Sequence, residues 1–156
     1  MTIQIEEITG WNEDVAYVAR HMRAVDVAEL AAVSMMTPEA ALRRALGVCR
    51  DNYVAKMDGE PMAVLGNHSM QLGMVGAPWL LGTDKVSRAG KSLVSLSRRY
   101  VEHLKLTHTR LVNIVHDENR PSKLYLKAIG FTLSPAYRLP NGASVRTFEA
   151  EGYLNV

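Results

Sequence analysis

The chain has 156 residues, 47% of them apolar and 22% charged, which is typical of one globular domain. No stretch approaches the ~20 consecutive apolar residues of a membrane span, and the first ten residues lack the basic start and apolar run of a signal peptide. We therefore predict a single domain over residues 1–156 that is neither exported nor in contact with a membrane.

The net charge of +2 is unevenly distributed along the chain. Residues 1–60 carry six Lys or Arg and ten Asp or Glu (−4), whereas residues 61–156 carry twelve and six (+6). A basic second half suits a phosphate-bearing small molecule and equally suits a solvated surface. Nucleic acid fits less well, because no basic cluster is interleaved with aromatic residues.

Cys49 is the only cysteine, so the sequence excludes an internal disulfide. It falls on the apolar stripe of a predicted helix, where we expect buried packing rather than a reactive thiol. A cytosolic or otherwise reducing compartment follows. His21, His103 and His108 have no carboxylate or cysteine at ligand spacing, and we therefore predict no metal site.

The first sixty residues predict one strand followed by three helices. Residues 2–8 alternate as a short strand. Asn12 is a helix cap, followed by apolar residues at i, i+3, i+4 and i+7 spacing. A second short helix is predicted over residues 26–34, and a third begins with Thr37 as its cap and Pro38 at its first helical position.

The rest of the chain predicts strands interrupted by two helices. The segment Asp58-Gly59-Glu60-Pro61 separates two apolar runs as a hairpin turn. The later predicted elements are a strand over 73–82, a helix over 87–106, a strand over 110–115, a helix from Pro121 to Gly130, and strands over 131–133 and 144–149. The strand–helix–strand unit in this region implies a parallel pair of strands, so the fold class is α/β.

Two segments have the pattern of a ligand site. PWLLGTDKVSRAGKSLVSL (78–96) is a strand that leads through a loop into a helix. The start of such a helix offers free backbone N–H groups and the positive end of the helix dipole, which suits phosphate. NRPSKLYLKAIGF (119–131) is a helix that begins after a strand and ends at a glycine.

Together these two segments resemble the GNAT superfamily of acetyl-CoA-dependent acyltransferases, whose motifs read R/Q-x-x-G-x-G/A and N-x-x-A-x-x-L-Y-x-x-L-G-F. The resemblance implies an α/β (α+β) fold with a mixed, mostly antiparallel twisted sheet, a central parallel pair and flanking helices. It also implies acetyl-CoA or CoA as the cofactor, with no metal. The cofactor-binding residues that it implies are Leu80, Leu81, Lys85, Ser87, Arg88, Ala89, Gly90, Lys91 and Asn119.

The chain departs from both motifs at residues that matter chemically. Arg88 stands at the first glycine of the family motif, and Val86 stands where a glycine is common. The lack of a side chain on these glycines lets backbone N–H groups approach a pyrophosphate. Leu126 stands where many members have a tyrosine that acts as general acid, and Tyr125 lies one residue earlier, about 100° around the helix. Tyr125 and His116 are the candidate catalytic residues.

His116 comes just after a buried strand, beside Asp117 and Glu118, at the kind of strand end where α/β folds place ligands. A general base that deprotonates an amine is one interpretation of His116. A residue of a surface loop is the other.

A narrower resemblance covers nearly the whole chain. Segments such as MRAVDVAEL, MTPEAALRRAL and PWLLGTD look like a small GNAT-like family of tailed bacteriophages, whose members are internal virion proteins or proteins of virion assembly. In that family the late motif already has leucine at the tyrosine position. The resemblance implies a location in the host cytoplasm or the virion, and a host or virion protein as partner.

Three functions follow from these patterns. The first is a GNAT-fold phage protein that acts in virion assembly or early infection, with a degenerate acetyl-CoA cleft. The second is an active N-acetyltransferase that modifies a host protein or a small amine. The third is a module that binds a host protein without catalysis. A homodimer is the default assembly for this fold.

Overall fold

The computed structural model describes residues 1–72 and 74–155. These residues form eight strands, five α-helices and one π-helical turn. In chain order the elements are β1 (Ile3–Ile8), α1 (Glu13–Arg20), α2 (Ala24–Glu29), the π-helical turn (Leu30–Ser34), α3 (Pro38–Val48), β2 (Asp51–Met57), β3 (Glu60–Met70), β4 (Val75–Gly82), α4 (Lys85–Lys105), β5 (Arg110–His116), α5 (Arg120–Ala128), β6 (Thr132–Leu133), β7 (Tyr137–Arg138) and β8 (Ser144–Glu151).

All eight strands belong to one mixed sheet. Hydrogen bonds link its strands in the order β1-β2-β3-β4-β5-β8-β6, and β7 also pairs with β8. The pairing of β4 with β5 is parallel, whereas β1–β2, β2–β3, β5–β8, β6–β8 and β7–β8 are antiparallel. The predicted fold class, a mostly antiparallel sheet with a parallel pair and flanking helices, is confirmed.

The helix caps and the hairpin turn that the sequence predicts are present in the structure. Asn12 Oδ1 accepts the Val15 N–H at 3.0 Å at the start of α1, and Thr37 Oγ1 accepts the Ala40 N–H at 3.2 Å at the start of α3. Between β2 and β3, Asp58 and Gly59 have positive φ angles of 50° and 84°, as a two-residue hairpin turn requires.

Two predicted elements differ from the structure, and one short strand was not predicted. The helix expected over 26–34 begins at Ala24 and widens into the π-helical turn, which ends where Met35 adopts a left-handed φ of 54°. The helix expected over 87–106 is α4, whose regular geometry breaks at Gly90. The short strand β7 was missed, because two exposed residues carry no readable alternation.

The described residues divide into two compact units. Unit 1 comprises Met1–His68 and Trp79–Leu93, and unit 2 comprises Ser69–Pro78 and Val94–Val156. The core of unit 1 consists of Ile8, Val15, Val18, Leu42, Val54, Val64 and Leu81. The core of unit 2 consists of Val101, Leu104, Leu111, Val115, Leu126, Ile129, Phe131 and Phe148. The single domain over residues 1–156 stays a prediction.

Cys49 is buried, as its place on an apolar stripe predicted, although it lies just after α3 rather than inside the helix. Burial raises the pKa of its thiol above the ordinary value, which disfavours the reactive thiolate. None of the helices in the described ranges has the length and apolarity needed to cross a membrane.

Candidate functional site

The end of β4 and the beginning of α4 form a tightly held segment in unit 1. Both backbone groups of Gly82 are bonded, since its N–H donates to Asp26 Oδ2 at 2.9 Å and its carbonyl accepts the Arg23 N–H at 2.9 Å. The Thr83 N–H donates to the Met62 carbonyl at 2.9 Å, and Thr83 Oγ1 accepts the Lys85 N–H at 3.3 Å. The chain therefore reaches α4 on a fixed path.

Gly90 interrupts α4 with φ 50° and ψ −127°, a conformation in which side-chain-bearing residues are strained. Apart from Gly90, its chain neighbours and the adjacent helix backbone, no heavy atom of the described residues lies within 4 Å of the position that a Cβ would occupy on Gly90. The conformation, rather than crowding, is what requires glycine there. Because a regular helical ladder is interrupted at this angle, the segment from Lys91 onward is a second helix that begins at the break.

Three cations in this segment differ in what they contact. The Lys85 ammonium donates to the Tyr17 hydroxyl at 2.9 Å and pairs with the Glu60 carboxylate at 3.2 Å. The Tyr17 hydroxyl, followed by the Glu60 carboxylate, raises the pKa of Lys85 above its ordinary value. Arg88 and Lys91 are exposed, and within the described residues neither side chain has a hydrogen bond or an ion pair.

The other predicted cofactor residues of unit 1 vary in exposure. Leu81 is buried in the core, Ala89 is 2% exposed, and Leu80 is partly exposed. Ser87 is exposed and its hydroxyl donates to the Asp84 carbonyl at 2.8 Å. Leu81 and Ala89 therefore contribute backbone and packing to the segment, and only Leu80 and Ser87 of these four offer a side chain to solvent.

Asn119 and His116 lie together in unit 2, where β5 leads into α5. The Asn119 N–H donates to the His116 carbonyl at 3.0 Å, and Asn119 Oδ1 accepts the Ser122 N–H at 3.3 Å, which caps the helix. Asn119 is 2% exposed, and its Nδ2 has no hydrogen-bond partner among the described residues. His116 is half-buried at the end of β5.

Asp117, next to His116, is occupied by two cations. Its Oδ1 accepts from Arg146 Nε and from Lys123 Nζ at 3.0 Å. The Arg146 guanidinium, and after it the Lys123 ammonium, hold the pKa of this carboxyl below its ordinary value of 3.8. A carboxylate stabilised in this way is a poor base, so Asp117 holds β8 and α5 to the end of β5 instead.

Tyr125 and Leu126 occupy different surroundings on α5. The Tyr125 hydroxyl is hydrogen-bonded to the Ser97 hydroxyl of α4, and its ring packs against the core of unit 2. Leu126, at the position where the family motif has its tyrosine, is 8% exposed and belongs to that core. The side chain of residue 126 therefore serves packing.

Asn113 in unit 2 is a residue that the sequence did not single out. The parallel backbone register pairs residues 75–76 of β4 with residues 110–111 of β5. Pro78 has no N–H to continue this ladder. Asn113 Nδ2 donates to the Pro78 carbonyl at 3.1 Å, while its Oδ1 accepts the Ile114 N–H at 2.8 Å. A side-chain amide thus replaces the backbone contact where the two strands separate, and a lone asparagine in an apolar strand was the available signal.

Solved acetyltransferases share this architecture. An acetyltransferase of the GNAT family from Bacillus anthracis superposes with a TM-score of 0.71 at 12% sequence identity, over 97% of this chain and 98% of that one. The chain has the GNAT fold. The aminoglycoside acetyltransferase AAC(6')-Ib, in a structure with ribostamycin and coenzyme A, gives 0.67 at 18% identity over 97% and 94% of the two chains.

An N-acetyltransferase from Staphylococcus aureus Mu50 gives a TM-score of 0.65 at 14% identity, over 97% and 98% of the chains. No model of a protein family matches the sequence, and no curated protein matches it either. At sequence identities of 12–18%, these superpositions establish the fold and do not establish the activity. The activity has to be argued from the residues of this chain.

The residues predicted from the GNAT motifs fall into two groups in this GNAT fold. Leu80, Leu81 and the predicted residues from Lys85 to Lys91 lie in unit 1, whereas His116, Asn119 and Tyr125 lie in unit 2. Among the residues that the structure describes, no group of three or more His, Cys, Asp or Glu side chains is arranged to hold a metal ion.

Proposed function

We propose that this protein binds coenzyme A or an acyl-CoA through the segment from Lys85 to Lys91 of unit 1. The observation that carries the proposal is the break at Gly90, which starts a new helix beside two exposed cations without a protein partner, Arg88 and Lys91. Backbone N–H groups, a helix dipole and free cations are what an anionic phosphate requires.

The residues present fit the diphosphate of coenzyme A, although they do not reproduce the family motif. Arg88 replaces a glycine, and Arg88, Gly90 and Lys91 are all exposed. Within the described part of the chain, no side chain lies within 4 Å of the Cβ position of Gly90. Solved relatives of the same fold contain coenzyme A or acetyl-CoA, which supports the choice of this anion over inorganic phosphate.

Acyl transfer to an amine is the second candidate function. A bound acyl-CoA would supply a thioester: the amine would form a C–N bond to the acyl carbon, the C–S bond would break, and coenzyme A would leave as the thiol after taking up a proton. Holding the two reactants together contributes much of the rate. His116 is the candidate base, because it is half-buried at a strand end and Asp117 beside it is occupied by Arg146 and Lys123. Tyr125 is a weaker candidate for a proton donor, because its hydroxyl is already bonded to Ser97.

The biological setting stays a prediction from the sequence resemblance. Virion assembly or early infection, a host or virion protein as partner, and a homodimer all belong to that prediction. Binding of a CoA-type molecule is compatible with each of them, and with a module that binds a partner without catalysis.

Calorimetric titration with coenzyme A at about 0.1 M salt tests the proposal. We expect micromolar binding, and we expect Arg88→Glu and Lys91→Glu each to raise Kd by about tenfold or more, because each reverses a charge next to the phosphates. The matched control is Arg44→Glu, which changes an exposed arginine of α3 that also lacks a partner within the described residues. No binding at about 1 mM coenzyme A would refute the proposal.

If coenzyme A binds, acyl transfer is tested separately with acetyl-CoA and a set of small amines. Loss of thioester turnover in His116→Ala, at unchanged Kd for acetyl-CoA, would identify His116 as the base. Equal turnover in His116→Ala and the unmodified protein would show that His116 is a residue of a surface loop and not the base.

A further inference from the structure

Arg23 and Asp26 form a buried ion pair at the start of α2 in unit 1. Arg23 Nε donates to Asp26 Oδ2 at 2.8 Å, and the two side chains are 11% and 2% exposed. Asp26 is the most deeply buried charged residue in the described chain, at 1% exposure. Such a pair gives little net stability over apolar residues of similar size, so its contribution is better sought in what it holds in place.

The pair is attached to the last residue of β4. Asp26 Oδ2 accepts the Gly82 N–H at 2.9 Å, while the backbone N–H of Arg23 donates to the Gly82 carbonyl at 2.9 Å. A bridge between Met22 and Thr83 continues this contact. Gly82 is itself closely packed, since a Cβ there would lie 2.3 Å from Val86 Cγ2.

We infer that Arg23 and Asp26 are positioning residues for the anion-binding segment Lys85–Lys91. The carboxylate fixes the end of β4, and the three residues that separate Gly82 from Val86 leave little freedom for the path into α4. Ordering this path in advance reduces the entropy lost when an anion binds. The inference rests on the proposed function, because it assigns these two residues to the same site.

The alternative is that the Asp26 carboxylate only holds the Arg23 side chain at the start of α2, where Arg23 Nε donates to Asp26 Oδ2 at 2.8 Å. In that case its loss would lower stability and leave the affinity of the folded protein for anions unchanged. The two interpretations therefore differ in a binding constant measured on folded protein.

The test compares Asp26→Asn with Glu39→Gln, which neutralises the exposed Glu39–Arg43 pair of α3 in the same unit. Coenzyme A is titrated calorimetrically, and hydrogen exchange is followed at the amides of residues 82–90. For Asp26→Asn we expect about a tenfold rise in Kd and about tenfold faster exchange at Gly82, with Glu39→Gln within about twofold of the unmodified protein in both. Arg23→Lys keeps the charge and should retain Kd within about threefold.

An unchanged Kd for coenzyme A in folded Asp26→Asn would overturn the inference, whatever the exchange rates at residues 82–90. If the unmodified protein binds no coenzyme A, the proposed function fails, and the exchange rates alone then decide whether the pair positions the segment. If Asp26→Asn does not fold, Arg23→Gln removes the same ion pair by changing the other partner. A rise in Kd of about tenfold in that variant would then support the inference, and an unchanged Kd would overturn it.

Discussion

Lys85, which the motif assigns to the cofactor, has protein partners in the fold, and its cofactor-binding role stays a prediction. The family pattern places Lys85 at its Arg or Gln position. In the structure its ammonium contacts Tyr17 and Glu60, and its side chain is 14% exposed. The positive charge at this position was predictable from the sequence. The contacts of Lys85 with Tyr17 and Glu60 were not, because these two residues lie 68 and 25 positions away along the chain.

Lys85→Met should therefore affect stability more than ligand affinity. The substitution removes a hydrogen bond worth about 1 kcal/mol of unfolding free energy, whereas Kd for coenzyme A should stay within about twofold. Chemical denaturation and calorimetry measure the two quantities. A rise in Kd as large as that of Arg88→Glu would mean that Lys85 leaves Tyr17 and Glu60 to reach the ligand.

Leu126 is the residue at which the sequence most directly suggested a lost catalytic group. Since its side chain belongs to the core of unit 2, Leu126→Tyr should not restore a proton donor. We expect the larger ring to lower the free energy of unfolding by about 1–3 kcal/mol through overpacking, without raising thioester turnover. Leu124→Tyr is the matched control, since Leu124 is 60% exposed on the same helix and should change stability little. A gain in turnover from Leu126→Tyr would show that residue 126 reaches the ligand.

Asp117 gives a pH dependence whose sign follows from its two cations. Its pKa is lower in the folded protein than its ordinary 3.8, so the folded state binds its proton less readily than the unfolded chain. Its stabilisation is complete above the ordinary value and is lost as pH falls through the folded pKa. Urea unfolding of Asp117→Asn and the unmodified protein should differ at pH 7 and converge toward pH 3. A difference that does not change with pH would assign the effect to packing.

At the scale of elements, α4 contains a break that helical periodicity does not predict. Its apolar residues predict one continuous helix, and the structure breaks that helix at Gly90. The tolerance of glycine for positive φ was visible in the sequence, but a glycine inside a helical pattern more often remains helical. Periodicity alone therefore does not distinguish a continuous helix from one that breaks at its glycine.

Gly90→Ala and Gly47→Ala should shift stability in opposite directions. Gly47 lies in α3 without positive φ, and among the described residues no side chain lies within 4 Å of the Cβ position of either glycine. Alanine at residue 47 should stabilise the protein by about 0.5–1 kcal/mol, whereas alanine at residue 90 should destabilise it by about 1 kcal/mol or more and weaken coenzyme A binding. Thermal unfolding measures both. A stabilising Gly90→Ala would mean that α4 is continuous in solution.

At the scale of the whole molecule, the sequence predicted the fold class better than it predicted the site. Caps at Asn12 and Thr37 and the Asp58-Gly59 turn are local signals, and each formed the expected element. The contacts that define the candidate site connect residues far apart in the chain, as between Asp26 and Gly82 or Asn113 and Pro78. The periodicity of apolar residues indicates which face of an element is buried. It does not indicate which polar group of another element contacts that face.

Charge distribution gives a prediction for the molecule as a whole. The net charge of +6 over residues 61–156 and the exposed Arg88 and Lys91 attract an anion through solvent, where salt screens the interaction. Raising salt from about 20 mM to about 300 mM should increase Kd for coenzyme A several-fold, because the Debye length falls from roughly 20 Å to roughly 6 Å.

The free energy of unfolding should change by less than about 1 kcal/mol over the same range of salt, because exposed ion pairs such as Arg110–Glu149 contribute little. Calorimetry and urea unfolding in matched buffers separate the two effects, and Arg88→Glu should flatten the salt dependence of Kd. A Kd that does not respond to salt would indicate that apolar contacts with the ligand, rather than its phosphates, dominate binding.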